Sequence, residues 1–159
     1  MDLMQRNYIE RAKNEFVTAG LLKKVTEDKS MKNYLEIEEN MTFYCSVISH
    51  CYYCIFYSAK ALLLKKNIKT SSPGIHKKTY LKFKRNLVDT GILDIQLLKI
   101  YRNIIIKADT LLDIFNDERW KRGNFTYNTI PQANKEPAEE SLRNAKLFLS
   151  NSLKIIDRL

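Results

Sequence analysis

Residues 41–64, MTFYCSVISHCYYCIFYSAKALLL, constrain this chain more than any other segment, because only His50 and Lys60 in it can carry charge near neutral pH. So apolar a run either crosses a membrane or forms a central helix around which the rest of the protein packs. A bilayer needs about 20 consecutive apolar residues, so the length suffices. The composition argues the other way. Lys60 lies inside one end, His50 lies near the middle, and four tyrosines and four serine or threonine hydroxyls would all need partners in lipid. No second stretch is apolar enough to span. The expectation is a buried central helix and no membrane association.

With 159 residues the chain suits a single domain that buries roughly 68–70% of its unfolded surface. Four glycines and three prolines leave long uninterrupted segments, which suit helices better than a sheet with many turns. The N-terminal MDLMQRNYIERAKNEF carries charge throughout and has no apolar core, unlike a signal peptide. Cys45, Cys51 and Cys54 all fall in the apolar run. An odd set of buried thiols without a secretion signal predicts a reduced, cytoplasmic protein. Cys51 and Cys54 form a C-x-x-C, but in mid-helix and with no second ligand pair. They are assigned to the core, and neither a metal nor another cofactor is expected.

The net charge of +9 is unevenly spread. No aspartate or glutamate occurs from Asn40 to Val88, while Lys60, Lys65, Lys66, Lys69, Lys77, Lys78, Lys82, Lys84 and Arg85 crowd one part of that stretch. Such a cluster favours phosphate-bearing partners through counterion release. Tyr80 and Phe83 interleave the charges and could stack on bases. The alternative is a lysine-rich face that is merely solvated.

Apolar spacing divides the chain into helices. Ile9, Ala12, Phe16 and Ala19 step by three and four, predicting a helix over about 3–26. EDKSMKN reads as a link or a fraying end. The core helix is predicted over about 36–66, with Asn67 as a left-handed cap. Thr70 to Gly74 reads as a loop, followed by a short basic helix over about 76–88 that Asp89-Thr90-Gly91 breaks. Ile95, Leu98, Tyr101, Ile105, Ala108, Leu112 and Phe115 mark a long helix over about 92–121, ended by Gly123. A last helix over about 137–158 starts with Pro137 at its first position and turns Leu142, Ala145, Leu149 and Ile156 inward. The fold class predicted is all-α, an up-and-down bundle of four long helices and one short one.

Few residues suggest chemistry. There is no Gly-rich phosphate loop, no H-E-x-x-H and no G-x-S-x-G. His50 reads as a hydrogen-bonded core histidine or a catalytic one. His76, at the mouth of the basic helix, could touch a phosphate or bond local backbone. The densest feature is Glu118-Arg119-Trp120-Lys121-Arg122-Gly123-Asn124-Phe125-Thr126-Tyr127, where a helix ends in three cations and turns into a polar, aromatic strip. Arginine can clamp a phosphate bidentately and a tyrosine hydroxyl can donate to it, or the cations can simply cap the helix end.

The order Tyr52-Tyr53-Cys54-Ile55-Phe56-Tyr57-Ser58-Ala59-Lys60-Ala61-Leu62-Leu63-Leu64 resembles the signature second helix of HEPN domains. The resemblance runs on through His76, Phe83, the Val88–Leu93 turn, Arg122…Tyr127 and a final helix carrying Glu139, Glu140, Ala145, Phe148 and Leu149. It covers most of residues 40–156 and is nearest to the small, free-standing, largely archaeal branch. It implies a four- or five-helix bundle that dimerises. In catalytic HEPN proteins, an Arg-x4–6-His motif from each protomer forms a metal-independent ribonuclease across the dimer cleft. Here Arg122 falls on the motif arginine, but Tyr127 stands at the histidine position, and no histidine follows His76. An unperturbed tyrosine, with a pKa of about 10, is poorly poised to move protons at a 2′-hydroxyl.

The resemblance therefore implies an RNA- or nucleotide-binding HEPN protein, a homodimer, paired with a minimal nucleotidyltransferase in the manner of a toxin and its antitoxin. Its candidate catalytic residues are Arg122 and Tyr127. The candidate nucleotide- or RNA-binding residues are Arg119, Arg122, Asn124, Tyr127, His76, Lys77 and Lys78. In some such pairs the nucleotidyltransferase modifies a HEPN tyrosine, which here would be Tyr127. Two alternatives stand beside this: an active ribonuclease toxin with an unconventional base, and a structural interaction module.

Overall fold

A computed structural model describes residues 2–120 and 135–158, with side chains for 2–108 and 135–158. Every regular element among them is helical. The helices are α1 (Leu3–Glu27), α2 (Lys29–Tyr34), α3 (Tyr44–Lys65), α4 (Ile75–Phe83), α5 (Ile95–Trp120) and α6 (Lys135–Arg158). The predicted all-α bundle is the observed fold class, with one short helix more than expected.

That extra helix is α2, where the sequence suggested a link. Asp28 makes it possible by serving both neighbours. Its N–H donates to the Lys24 carbonyl at 3.0 Å, closing α1, and its side chain accepts from the Met31 N–H at 3.0 Å, opening α2. The core helix then starts at Tyr44, later than the predicted 36. Residues 36–40 offer three glutamates and no apolar stripe, and Glu36 takes a left-handed conformation (φ 57°) that no helix continues through. This connection is tied down at both ends. Buried Lys32 donates to the Glu39 carbonyl at 2.8 Å, and the Phe43 N–H donates to Thr26 Oγ1 at 3.0 Å.

α3 is the centre of the bundle, packed chiefly against α1 and α6 and also against α4 and α5. Val47, Ile48, Cys51, Cys54, Ile55, Leu62 and Leu63 are sealed within it. It is long and apolar enough to cross a membrane, yet 72% of its apolar window is buried against the rest of the chain. Its end is a Schellman motif: Asn67 is left-handed (φ 58°), its N–H donates to Leu64 at 2.8 Å, and the Ile68 N–H donates to Leu63 at 2.9 Å.

Gly74 (φ 69°) opens α4. The predicted basic helix reaches Val88, but residues 84–88 form a π-helical turn. The wider turn lets Phe83, Leu87 and Val88 all face the core. α5 starts at Ile95, after Asp94 accepts from the Gln96 N–H at 2.8 Å, and not at 92. Ile95 was expected inside and is 52% exposed. Leu98 and Tyr101 of the predicted stripe are buried and Ile105 packs against the core, while Leu97, Ile100 and Ile104 widen that face. Leu112 and Phe115 lie outside the described side chains. Pro137 sits in the third position of α6 and not the first, where its missing N–H is still one of those a helix leaves unpaired.

Candidate functional site

The helical repeat of α3 places Tyr52, Phe56 and Lys60 in one row and Tyr53 and Tyr57 in the next, since residues four apart lie on one face. Two other helices close on these rows. From α4, His76 lies with its ring centroid 4.4 Å from that of Phe56, and its Nδ1 is 2.6 Å from the Tyr52 hydroxyl. From α1, Tyr8 stacks on Tyr57 at 6.1 Å and Arg11 lies 4.7 Å over the Tyr57 ring.

Lys60 is the unusual member. It is only 8% exposed, and its ammonium sits 4.5 Å from the Tyr8 ring centre and 5.7 Å from that of Phe56. No carboxylate pairs with it among the described residues. The two aromatic faces supply its counter-charge through their quadrupoles. Burial, and then the charge of Lys60, lowers the His76 pKa below its usual 6.5, so the imidazole is predominantly neutral at pH 7. The Tyr52 hydroxyl and Nδ1 share one hydrogen bond.

His76, Lys77 and Lys78 are all exposed in the first turn of α4. The structure thus brings these three predicted residues together. Arg119 is in the last turn of α5, its side chain outside the description, and Arg122, Asn124 and Tyr127 fall outside the described residues. Tyr101 of α5 is 5.4 Å from Tyr80 of α4 between ring centres, and Arg119 stands 18 positions further on. At 1.5 Å per residue that is about 27 Å along α5, so α4 and the Arg119 backbone are well apart in one copy of the chain.

The other candidates are structural. His50 is half-buried where a core position was expected, because its Nδ1 reaches Glu15 on α1 at 2.6 Å. Burial pushes the Cys51 thiol up to about 12 and raises Cys54 further still, so neither is a thiolate at neutral pH. Among the described residues, no three His, Cys, Asp or Glu side chains gather to hold a metal ion. The sequence grouped Lys60 with the basic cluster but not with any aromatic partner, and it assigned no role to Tyr8 or Arg11. The only signal was a single lysine inside an apolar run, four residues after Phe56.

The family model for the HEPN domain matches residues 29–156, from α2 to α6, so α1 with Tyr8 and Arg11 precedes the matched segment. Two proteins of Methanocaldococcus jannaschii are similar. "Putative toxin MJ0142" is 30% identical over 125 residues, covering 77% of this chain and 74% of that protein. "Putative toxin MJ0605" is 30% identical over 116 residues, covering 73% of each. With a family model matched over most of its length, this chain belongs to the HEPN domain family.

Proposed function

We propose that this chain is the toxin-side HEPN protein of a two-component pair, binding RNA as a homodimer and regulated by a minimal nucleotidyltransferase. The names of the two archaeal relatives support the toxin side of this reading. The observation that carries RNA binding is the first turn of α4. There His76, Lys77 and Lys78 are exposed together, in a stretch free of acidic residues from Asn40 to Val88. Lysines at such a turn neutralise successive phosphates, and the helix dipole adds to the attraction. Arg119 and Arg122 would clamp further phosphates, with Asn124 and Tyr127 as hydrogen-bonding neighbours. Tyr127 would also be the acceptor of a nucleotidyl group.

Fluorescence anisotropy with a labelled single-stranded RNA tests this reading. Affinity should fall steeply between 50 and 200 mM salt, and Lys77→Ala and Lys78→Ala should each lower the salt slope by about one. Binding indifferent to salt would sink the proposal. Incubating the purified nucleotidyltransferase, ATP and this protein tests the pairing, with Tyr127→Phe expected to abolish labelling.

A second reading, an active ribonuclease, draws on one observation: His76 is a neutral imidazole bonded to Tyr52 through Nδ1, so that proton transfer to a substrate would run through Nε2. RNA cleavage lost in both Arg122→Ala and His76→Gln would establish it. Cleavage that survives Arg122→Ala would remove Arg122 from the site.

A further inference from the structure

We infer that the connection between α2 and α3 docks onto the outer face of α4 in a second copy of this chain, the two copies making the contact twice about a twofold axis. The inference deepens the homodimer part of the proposed function by naming the surfaces that meet, and it does not depend on RNA binding.

The connection exposes apolar surface that the fold does not use. Tyr34 is 87% exposed, more than any other large apolar or aromatic side chain among the described residues, and Leu35 and Met41 are each nearly half exposed. Single exposed apolar side chains are ordinary, but three within eight residues of one connection mark a docking surface. The connection is also held in one shape. The Ile37 N–H donates to the Lys32 carbonyl at 2.9 Å, the Met41 N–H to the Glu38 carbonyl at 3.0 Å, and the Lys32 ammonium to the Glu39 carbonyl at 2.8 Å. A surface fixed before binding loses little conformational freedom on docking.

Charge indicates what covers it. Glu36 and Glu38 are exposed and form no ion pair among the described residues, while Glu39 is paired with Lys29 at 2.7 Å. The complementary occupant is apolar at its centre and cationic at its rim.

This chain carries such a surface on the second turn of α4 and the π-helical turn after it. Leu81 is half exposed, and Lys82 and Arg85 beside it are exposed and form no ion pair among the described residues. No acidic residue occurs from Asn40 to Val88, so this stretch holds nothing that repels the glutamates. Both surfaces are exposed in one copy, so neither covers the other within it. A twofold pairing satisfies both at once and closes on itself. His76, Lys77 and Lys78, the residues assigned to RNA, lie in the preceding turn.

Sedimentation equilibrium of the full-length protein over a concentration series tests the pairing. The wild type should form a dimer that weakens as salt is raised. Tyr34→Ala and Leu81→Ala should each raise the dissociation constant about tenfold. Glu36→Lys/Glu38→Lys places cations on both surfaces, and Lys82→Glu/Arg85→Glu places carboxylates on both. Each of these proteins alone should be largely monomeric, with unchanged circular dichroism. Mixed in equal amounts they should form a heterodimer, because both contacts then join opposite charges, and misfolded variants could not produce that rescue. A mixture that associates no better than its components overturns the inference. A dimer unchanged in both charge-reversed proteins also overturns it, and leaves the homodimer standing on another face. A wild type that is monomeric at every concentration overturns this interface and the homodimer together, while RNA binding is read separately by anisotropy. A monomer that binds the purified nucleotidyltransferase, and loses it in Tyr34→Ala, gives the surface to that partner and overturns the second copy as its occupant.

Discussion

One half of the α3 surface carries Val47, Cys51, Cys54, Ile55 and Leu62, and it is sealed against α1, α5 and α6. The other half carries Tyr52, Tyr53, Phe56, Tyr57 and Lys60, all on the remaining arc of the same helix. By composition the first half is aliphatic and the second aromatic. They differ in what happens to the polar atoms. The sealed half has almost none, apart from Ser58, whose hydroxyl donates to the Cys54 carbonyl of its own helix at 2.8 Å. The aromatic half ends in hydroxyls and an ammonium, and the His76 imidazole of α4 bonds to one of those hydroxyls. Packing stabilises through the first half, and recognition is open only to the second.

The sharpest way to break this comparison is Ile55→Ala. A fully buried isoleucine truncated in the centre of the bundle should cost about 2–5 kcal/mol, measured by denaturant unfolding. A loss under about 1 kcal/mol would mean that this half is not the packed one.

Thiol chemistry reads the same boundary. Burial raises the Cys51 pKa from its ordinary 9.0 to about 12, which cuts its thiolate fraction on the order of a thousandfold. Native protein treated with a thiol-reactive chromophore should therefore modify half-buried Cys45 first and leave Cys51 and Cys54 to react only on unfolding.

Lys60→Met sharpens the other side. The substitution removes a buried cation and keeps an unbranched apolar stem, so stability should hold within about 1 kcal/mol or rise. A larger loss in thermal or denaturant unfolding would make Lys60 a structural residue.

The smallest effect concerns pH. The His76 pKa is lowered by burial and by Lys60, so the folded chain resists a proton that the unfolded chain accepts near pH 6.5. His76 therefore has no effect on stability well above that value, and its resistance destabilises the fold as pH falls below it. The denaturation midpoint of the wild type should drop slightly from pH 7.5 to 5.5, and His76→Gln should flatten that part of the slope.

Parts of this molecule are legible residue by residue. The run from Tyr44 to Lys65 had to be helical and buried, because nothing else satisfies so many apolar side chains, and Asn67 announced its end. α2 was not legible, because it is six residues long and depends on Asp28 serving two helices at once. At Ile95 the apolar spacing of α5 runs on past the buried face, since a repeat of three and four fits two adjacent faces and only neighbouring helices choose between them. His76, Lys77 and Lys78 stood out as a basic cluster after a glycine. Lys60 belonged to the same basic cluster by sequence, but nothing there announced that it is buried between aromatic rings.

The sequence by itself determined the helical class, the central helix, the acid-free basic stretch and the family, because these follow from side-chain chemistry at short spacing. Only the tertiary structure decided that Tyr8 and Lys60 meet and that His76 closes on Phe56, and that one face of α3 is packed in the core while the other holds a buried lysine between aromatic rings. Those outcomes depend on which helices pack together and at what rotation. That is set by the summed fit of the whole core, which no local pattern encodes.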